Sequence, residues 1–139
     1  MQPISIIGLF CEDIRQEKSE QATLIGILPD NLAMPQVPNV LPKLGVYIRV
    51  HFDPKTSPSP MSIKLRVPDG PDIPLGEITD ELITQSKTET KANGTPVAGL
   101  VSMAVVTPFP IKTFGNVTAV VTTKDGDYIC AALNIIPTK

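Results

Sequence analysis

The sequence has no tryptophan, and aromatic residues make up only 4% of its 139 residues. A core built with so little aromatic bulk must be aliphatic, and the chain has an apolar content of 42%. Its branched aliphatic side chains pack well on the pleated surface of a β-sheet. A chain of this length can bury roughly two-thirds of the surface that its unfolded form exposes. We therefore expect a single domain over residues 1–139, which folds without a disulfide or a metal.

Long apolar runs and an excess of positive charge are also missing. No run approaches the ~18 residues of a membrane span. The net charge of −2 argues against a positively charged surface over the whole domain that would bind nucleic acid. The apolar residues 4–11 have no basic stretch before them and no small-residue cleavage site, and they lead directly into Glu12 and Asp13, unlike an export signal. We expect a cytoplasmic protein that binds neither membrane nor nucleic acid.

Residues that support catalysis or metal binding are scarce. The two cysteines, Cys11 and Cys130, lie near opposite ends of the chain, which favours buried or half-buried reduced thiols over a disulfide or a metal pair. His51 is the only histidine, and no serine or cysteine pattern near it resembles a triad. No phosphate-binding glycine loop, nucleophile elbow or zinc pattern occurs. We expect no cofactor and no metal, and the balance favours a protein that is not an enzyme.

Alternation of polar and apolar residues with a period of two is the strongest pattern present. It is clearest between residues 43 and 68, and it is typical of half-buried strands. Such runs predict strands at residues 4–13, 22–28, 44–52, 61–67, 97–106, 116–123 and 127–136, with a further extended piece at 73–78. The 15 prolines and nine glycines lie mostly between these runs. The pattern predicts an all-β fold, an antiparallel two-layer β-sandwich of seven or eight strands, immunoglobulin-like or C2-like.

Residues 79–93 are the only segment that resembles a helix. Thr79 can cap it, Asp80 and Glu81 suit the positive end of the helix dipole, and Gly94 can end it. Its apolar content is low, so we predict at most one short helix, lying on the surface. The proline-rich segments 29–43 and 107–115 are predicted to be long connections.

The register of the last predicted hairpin depends on its loop. A two-residue loop at Asp125 and Gly126 would mix polar and apolar residues on both faces, whereas a three-residue loop at 124–126 keeps one face apolar. We therefore predict the register that pairs Val121 with Ile129, Ala119 with Ala131 and Val117 with Leu133.

The polar faces of strands 44–52 and 61–67 carry a row of positive charge. If these strands form a hairpin across residues 53–60, Arg49 lies opposite Lys64, with His51 and Arg66 beside them. In one interpretation the acidic segment 69–89, which holds six acids, folds over this basic face and pairs with it. In the other, Arg49, His51, Lys64 and Arg66 bind an anionic ligand or partner.

Phe109 and Phe114 are half of the phenylalanines and lie in a predicted loop. Two interpretations are open for them. They can plug the open end of the sandwich, which we favour, or they can form an exposed apolar patch that contacts a partner.

Three segments of the first third of the chain carry a resemblance to known proteins. Residues 9–17 (LFCEDIRQE), residues 22–28 (ATLIGIL) and residues 41–44 with the strand after them resemble an uncharacterised family of small bacterial proteins. Members of that family look like single β-sandwich domains. The resemblance implies a bacterial, possibly prophage-borne, cytoplasmic protein of the same fold, and it implies no activity, cofactor or catalytic residue.

The leading hypothesis is therefore a non-enzymatic binding or structural module, because loops on a rigid sandwich commonly carry recognition. Its partner is an unknown protein or a second copy of the chain. The alternative is a small-anion sensor or enzyme that uses the basic strand face around His51.

Overall fold

The structure, a computed structural model, describes residues 4–139. Residues 1–3, which precede the apolar segment 4–11, lie outside the described residues. The predicted absence of an export signal therefore remains a prediction, as does the start of the domain at residue 1. The described chain forms one helix, α1 (Asp80–Asn93), and eleven strands: β1 (Ile4–Gln16), β2 (Ala22–Ile27), β3 (Asn31–Met34), β4 (Asn39–Leu41), β5 (Leu44–Phe52), β6 (Met61–Arg66), β7 (Ile73–Ile78), β8 (Ala98–Val106), β9 (Phe109–Ile111), β10 (Gly115–Thr123) and β11 (Gly126–Pro137).

Most strands belong to two packed sheets. One sheet has four antiparallel strands in the order β2-β1-β5-β8, and the other has five in the order β3-β11-β10-β6-β7. Within the second sheet β3 runs parallel to β11, which is an exception to the predicted antiparallel arrangement. β4 and β9 form a small third sheet. The all-β sandwich class that the sequence predicts is confirmed.

The core lies between the two large sheets and is aliphatic, as the composition predicts. Alternate residues of β5, from Leu44 to Phe52, point inward and are at most 2% exposed. Met61, Ile63 and Leu65 of β6 face them from the other sheet, in the same cluster of buried side chains. The period-two pattern therefore identifies the buried faces of β5 and β6 correctly.

The predicted pairing of β5 with β6 is wrong. β5 pairs with β1 and β8, whereas β6 pairs with β10 and β7 in the opposite sheet. The alternation specifies which face of a strand is buried, and that face can be buried beside its neighbour or across the core from it. The connection at 53–60 contains three prolines and crosses between the sheets instead of turning back.

The last hairpin follows the predicted register along half of its length. Val117 pairs with Leu133 and Ala119 with Ala131, as predicted. A bulge between Ala119 and Val120 then shifts the ladder, so that Val121 pairs with Tyr128 and the turn is the two residues 124–125. The bulge leaves one additional residue on β11, at Cys130, which the uniform alternation in the prediction does not allow for.

α1 coincides with the predicted helix. The Thr79 side chain accepts a hydrogen bond from the Leu82 N–H at 3.3 Å, and Gly94 ends the helix with φ of 67°. The helix joins β7 to β8 and so links the two sheets at one side of the sandwich. Ser86 fixes its position, because its hydroxyl donates to the Gly99 carbonyl of β8 at 2.9 Å.

Three short strands, β3, β4 and β9, lie in segments predicted to be connections, so the structure has more than the predicted seven or eight strands. Each has only three or four residues. A strand of that length contains too few residues to show a period of two, and the prolines around it indicate a loop instead.

Candidate functional site

The four basic residues predicted to form one cluster lie on two different sheets. Arg49 and His51 lie on β5, and the Nε of Arg49 donates a hydrogen bond to Nε2 of His51 at 3.0 Å. Lys64 and Arg66 lie on β6 in the opposite sheet. The prediction of a single basic face is therefore wrong, for the same reason as the predicted pairing of β5 with β6.

On β6, the acidic segment does provide a counter-charge. Asp72 lies 3.6 Å from Nζ of Lys64 and 3.4 Å from Nε of Arg66. Arg66 also contacts Asp127 of β11 at 3.3 Å. These acidic partners raise the pKa of Arg66, with Asp72 as the main cause. A solvated ion-pair network thus accounts for the charge on this sheet.

Phe109 belongs to the core. It is 1% exposed, and it forms part of β9 instead of a loop. Phe114 is half-buried and packs against the same core. This burial matches the plug that the sequence favours, and it makes Phe109 unavailable to a partner.

A cavity of about 200 Å³ lies beside Phe109, at the end of the sandwich. Its walls are mainly apolar and include Val67, Ile73, Ile111 and Val117. Small-molecule sites usually occupy ~300 Å³ or more and contain a few convergent polar groups. The cavity is small for such a site.

Both cysteines are free, as predicted, with Cys11 buried and Cys130 half-buried. Burial raises the pKa of each thiol. Both are therefore protonated at neutral pH and have little nucleophilic thiolate.

The most unusual surface lies on the side of the four-stranded sheet that points away from the core, which we call the outer face. Five apolar side chains on it are strongly exposed: Ile7 at 52%, Ile27 at 57%, Val101 at 46%, Met103 at 37% and Val105 at 39%. Leu9 and Tyr47 lie among them and are half-buried. Contiguous apolar patches on monomers are usually small, and larger ones commonly mark sites of interaction.

The strand register makes this face continuous. Leu9, Tyr47 and Met103 form one row across β1, β5 and β8, and Ile7, Arg49 and Val101 form the next. Directly paired side chains lie about 5 Å apart, so the side chains within each row are in contact. In the next row Cys11 and Gly45 are both buried, with the Cys11 thiol and Ile14 over Gly45, so they separate the exposed Ile27 from Val105.

Arg49 is the cation at the centre of one of these rows. It is exposed, and within residues 4–139 it forms no ion pair. Arginine, tyrosine and methionine among aliphatic side chains are typical of the centre of a protein interface.

The sequence pattern did not predict this face, because the odd positions of β5 are mostly polar by residue type. A signal was present in β8, where residues 98–106 contain no charged residue and only one hydroxyl. Such a continuous apolar run is typical of a strand that is covered on both faces.

Two further findings concern the described part of the chain. It contains no group of three or more His, Cys, Asp or Glu side chains that could hold a metal ion. Between residues 4 and 139 no helix has the length and apolar character needed to cross a membrane.

Comparison with family models assigns most of the chain to a family. A family of unknown function, DUF6941, matches residues 6–132, which include all of the outer face. No curated protein and no solved structure matches significantly.

Proposed function

The chain belongs to the family of unknown function DUF6941, and we propose that it is a non-enzymatic module that binds a partner protein through the outer face. The observation that supports this is the exposed apolar surface of Ile7, Ile27, Val101, Met103 and Val105 around Arg49. Burial of such a surface provides the main driving force for association between proteins.

The arrangement also indicates the chemistry of the partner. Its contact surface should be apolar, to cover the rows on either side of Tyr47, with a carboxylate placed to meet the guanidinium of Arg49. An arginine can hold a carboxylate through two parallel hydrogen bonds, which adds orientation to the apolar contact.

We extend the proposal to a bacterial cytoplasmic protein that does not bind nucleic acid. The free thiols of Cys11 and Cys130 support a reducing compartment. Asp72 and Asp127 already engage Lys64 and Arg66, which reduces the positive charge available to phosphates. The alternative of an anion sensor or enzyme around His51 loses the cation cluster on which it was based.

The test begins with a photo-crosslinking residue at position 7, in chains expressed in the native host, to capture and identify the partner. Val40 provides the matched control position, because it is equally exposed, at 51%, but lies on β4 outside the outer face. The purified partner should then bind Ile7→Asp and Arg49→Glu at least about tenfold more weakly than the wild type, and Val40→Asp unchanged. Equal affinity for all four proteins would reject the outer face as the binding site.

A further inference from the structure

β8 leaves the four-stranded sheet with an open edge. It pairs with β5 on one side, and within the described chain no strand pairs with it on the other. The Gly99 carbonyl points away from β5, because it accepts the hydrogen bond from Ser86 of α1. Since backbone groups alternate sides along an antiparallel strand, Val101, Met103 and Val105 also direct their N–H and C=O groups to the open edge. No described residue hydrogen-bonds to these groups.

Beyond Gly99, where α1 contacts β8, this edge has none of the sequence features that usually protect an edge strand. Edge strands normally carry charged residues, prolines or bulges, which prevent pairing with another chain. The edge strand β7 of the other sheet has Pro74, Glu77 and an irregularity in its ladder. β8 has nine residues in regular register with β5, without charge or proline.

The sequence of the open segment is nearly symmetric. Residues 101–105 read Val-Ser-Met-Ala-Val, with Met103 at the centre. An antiparallel copy aligned on Met103 would place valine opposite valine, methionine opposite methionine, and serine opposite alanine. Each matched pair also lies on one side of the sheet. α1 limits the segment at Gly99, and Pro108 follows soon after its other end.

We propose that two copies of this chain associate by antiparallel pairing of β8 with β8, about a two-fold axis at Met103. Val101, Met103 and Val105 of each copy then form three hydrogen-bonded pairs with the partner, so all of their edge N–H and C=O groups are satisfied. The two four-stranded sheets become one sheet of eight strands with a continuous outer face. This goes beyond the proposed function, because it specifies a second copy at the sheet edge and does not depend on the partner that covers the face.

The expected association is reversible. Pairing over five residues buries less than the ~800 Å² per partner of a standard interface. Sedimentation velocity on the wild-type chain should therefore show a monomer–dimer equilibrium in the micromolar range. A chain that stays monomeric up to millimolar concentration would overturn the proposal.

Two double variants test the register, since Val101 of one copy lies opposite Val105 of the other. Val101→Lys/Val105→Lys places like charges opposite each other and should abolish the dimer. Val101→Lys/Val105→Glu changes the same two exposed positions but places opposite charges together, so the dimer should persist. Circular dichroism checks that both variants are folded. A dimer that survives in the first variant, or is lost equally in both, would contradict the antiparallel register.

A second measurement does not depend on charge. Met103→Cys should crosslink rapidly to its copy with a short bifunctional thiol reagent, because the two-fold axis places the two side chains next to each other. Ile7→Cys, equally on the outer face but away from the edge, is the control and should crosslink poorly. Equal yields would overturn the proposal. Ile7→Asp separates this proposal from the proposed function, because it should weaken partner binding and leave the dimer unchanged.

Discussion

Asp127 is held by two partners on the outer surface of the five-stranded sheet. The Thr122 hydroxyl donates a hydrogen bond to its carboxylate at 2.7 Å, and Arg66 lies 3.3 Å away. The Thr122 hydrogen bond is the main cause of the lowered pKa of Asp127, and Arg66 adds to it. A carboxyl whose pKa is lower in the folded state than in the unfolded state stabilises the fold above its unfolded pKa, about 3.9 for aspartate. That contribution is lost as the pH falls through the folded value.

We therefore expect Asp127→Asn to be less stable than the wild type at pH 7, and the difference in the free energy of unfolding to disappear as the pH falls below about 4. The effect should be modest, because the group is exposed. Urea unfolding across this pH range measures it. Asp125→Asn is the control, since that exposed residue in the adjacent turn forms no ion pair within residues 4–139. A difference between wild type and Asp127→Asn that is independent of pH would contradict the linkage.

At the level of elements, β1 and β11 approach each other closely where the two sheets meet. Gly8 of β1 lies against the backbone of Cys130, at the bulge of β11. A Cβ atom at position 8 would lie 2.8 Å from the Cys130 carbonyl oxygen, closer than real Cβ contacts. Glycine is required here because only a residue without a side chain lets the two backbones approach this closely.

Gly8→Ala should accordingly lower the free energy of unfolding by about 1–3 kcal/mol, because the nearest atom, the Cys130 carbonyl oxygen, belongs to the backbone and cannot rotate away. Gly76→Ala in β7 is the matched control. A Cβ there would have no atom within 4 Å, and Gly76 has no positive φ. The free energy of unfolding of Gly76→Ala should be unchanged or higher by up to about 1 kcal/mol. Chemical denaturation measures the free energy of unfolding of both variants. Equal effects would mean that β1 and β11 are not tightly packed at Gly8.

The elements also show what the sequence can specify. Strands of six or more residues and the capped helix are predictable, because their periodicity and the roles of Thr79 and Gly94 are local properties. β9 and the bulge at Cys130 are not. They depend on contacts with β4 and β1, which lie far away in the sequence.

In the whole molecule, the two large sheets contribute to a single cluster of buried side chains. This supports the expectation of one domain, which should unfold cooperatively. The two tyrosines provide one probe in each sheet, since Tyr47 lies on β5 and Tyr128 on β11, and no tryptophan masks their fluorescence.

Tyr128→Phe leaves only the reporter in the four-stranded sheet, and Tyr47→Phe leaves only the one in the five-stranded sheet. In each variant, tyrosine fluorescence and far-ultraviolet circular dichroism should give the same denaturation midpoint. Comparing the two probes within one variant removes any effect of the substitution on stability. Separate midpoints in either variant would indicate that the sheets unfold independently.

The candidate site was less predictable than the fold, because it depends on which strands are neighbours in the whole molecule. The outer face requires Tyr47 to lie between Leu9 and Met103, and a single sequence does not specify which strands become neighbours. The alternation in β5 correctly indicated that Arg49 points away from the core. It could not indicate that apolar residues of β1 and β8 surround it, so a row of charge was predicted where the molecule has an apolar surface.

The position of β11 has a consequence for how the chain reaches this structure. β11 follows every other strand in the sequence, yet it lies between β10 and β3, and Asn134 bonds to Asn31 across a separation of 103 residues. During synthesis β3 remains without its partner until β11, about 100 residues later, has been made. Pairings of such high contact order slow folding to the range of milliseconds to seconds. Until β11 pairs, β3 and one side of β10 lack their neighbour in the sheet, and such unpaired strand edges make incomplete chains prone to aggregation.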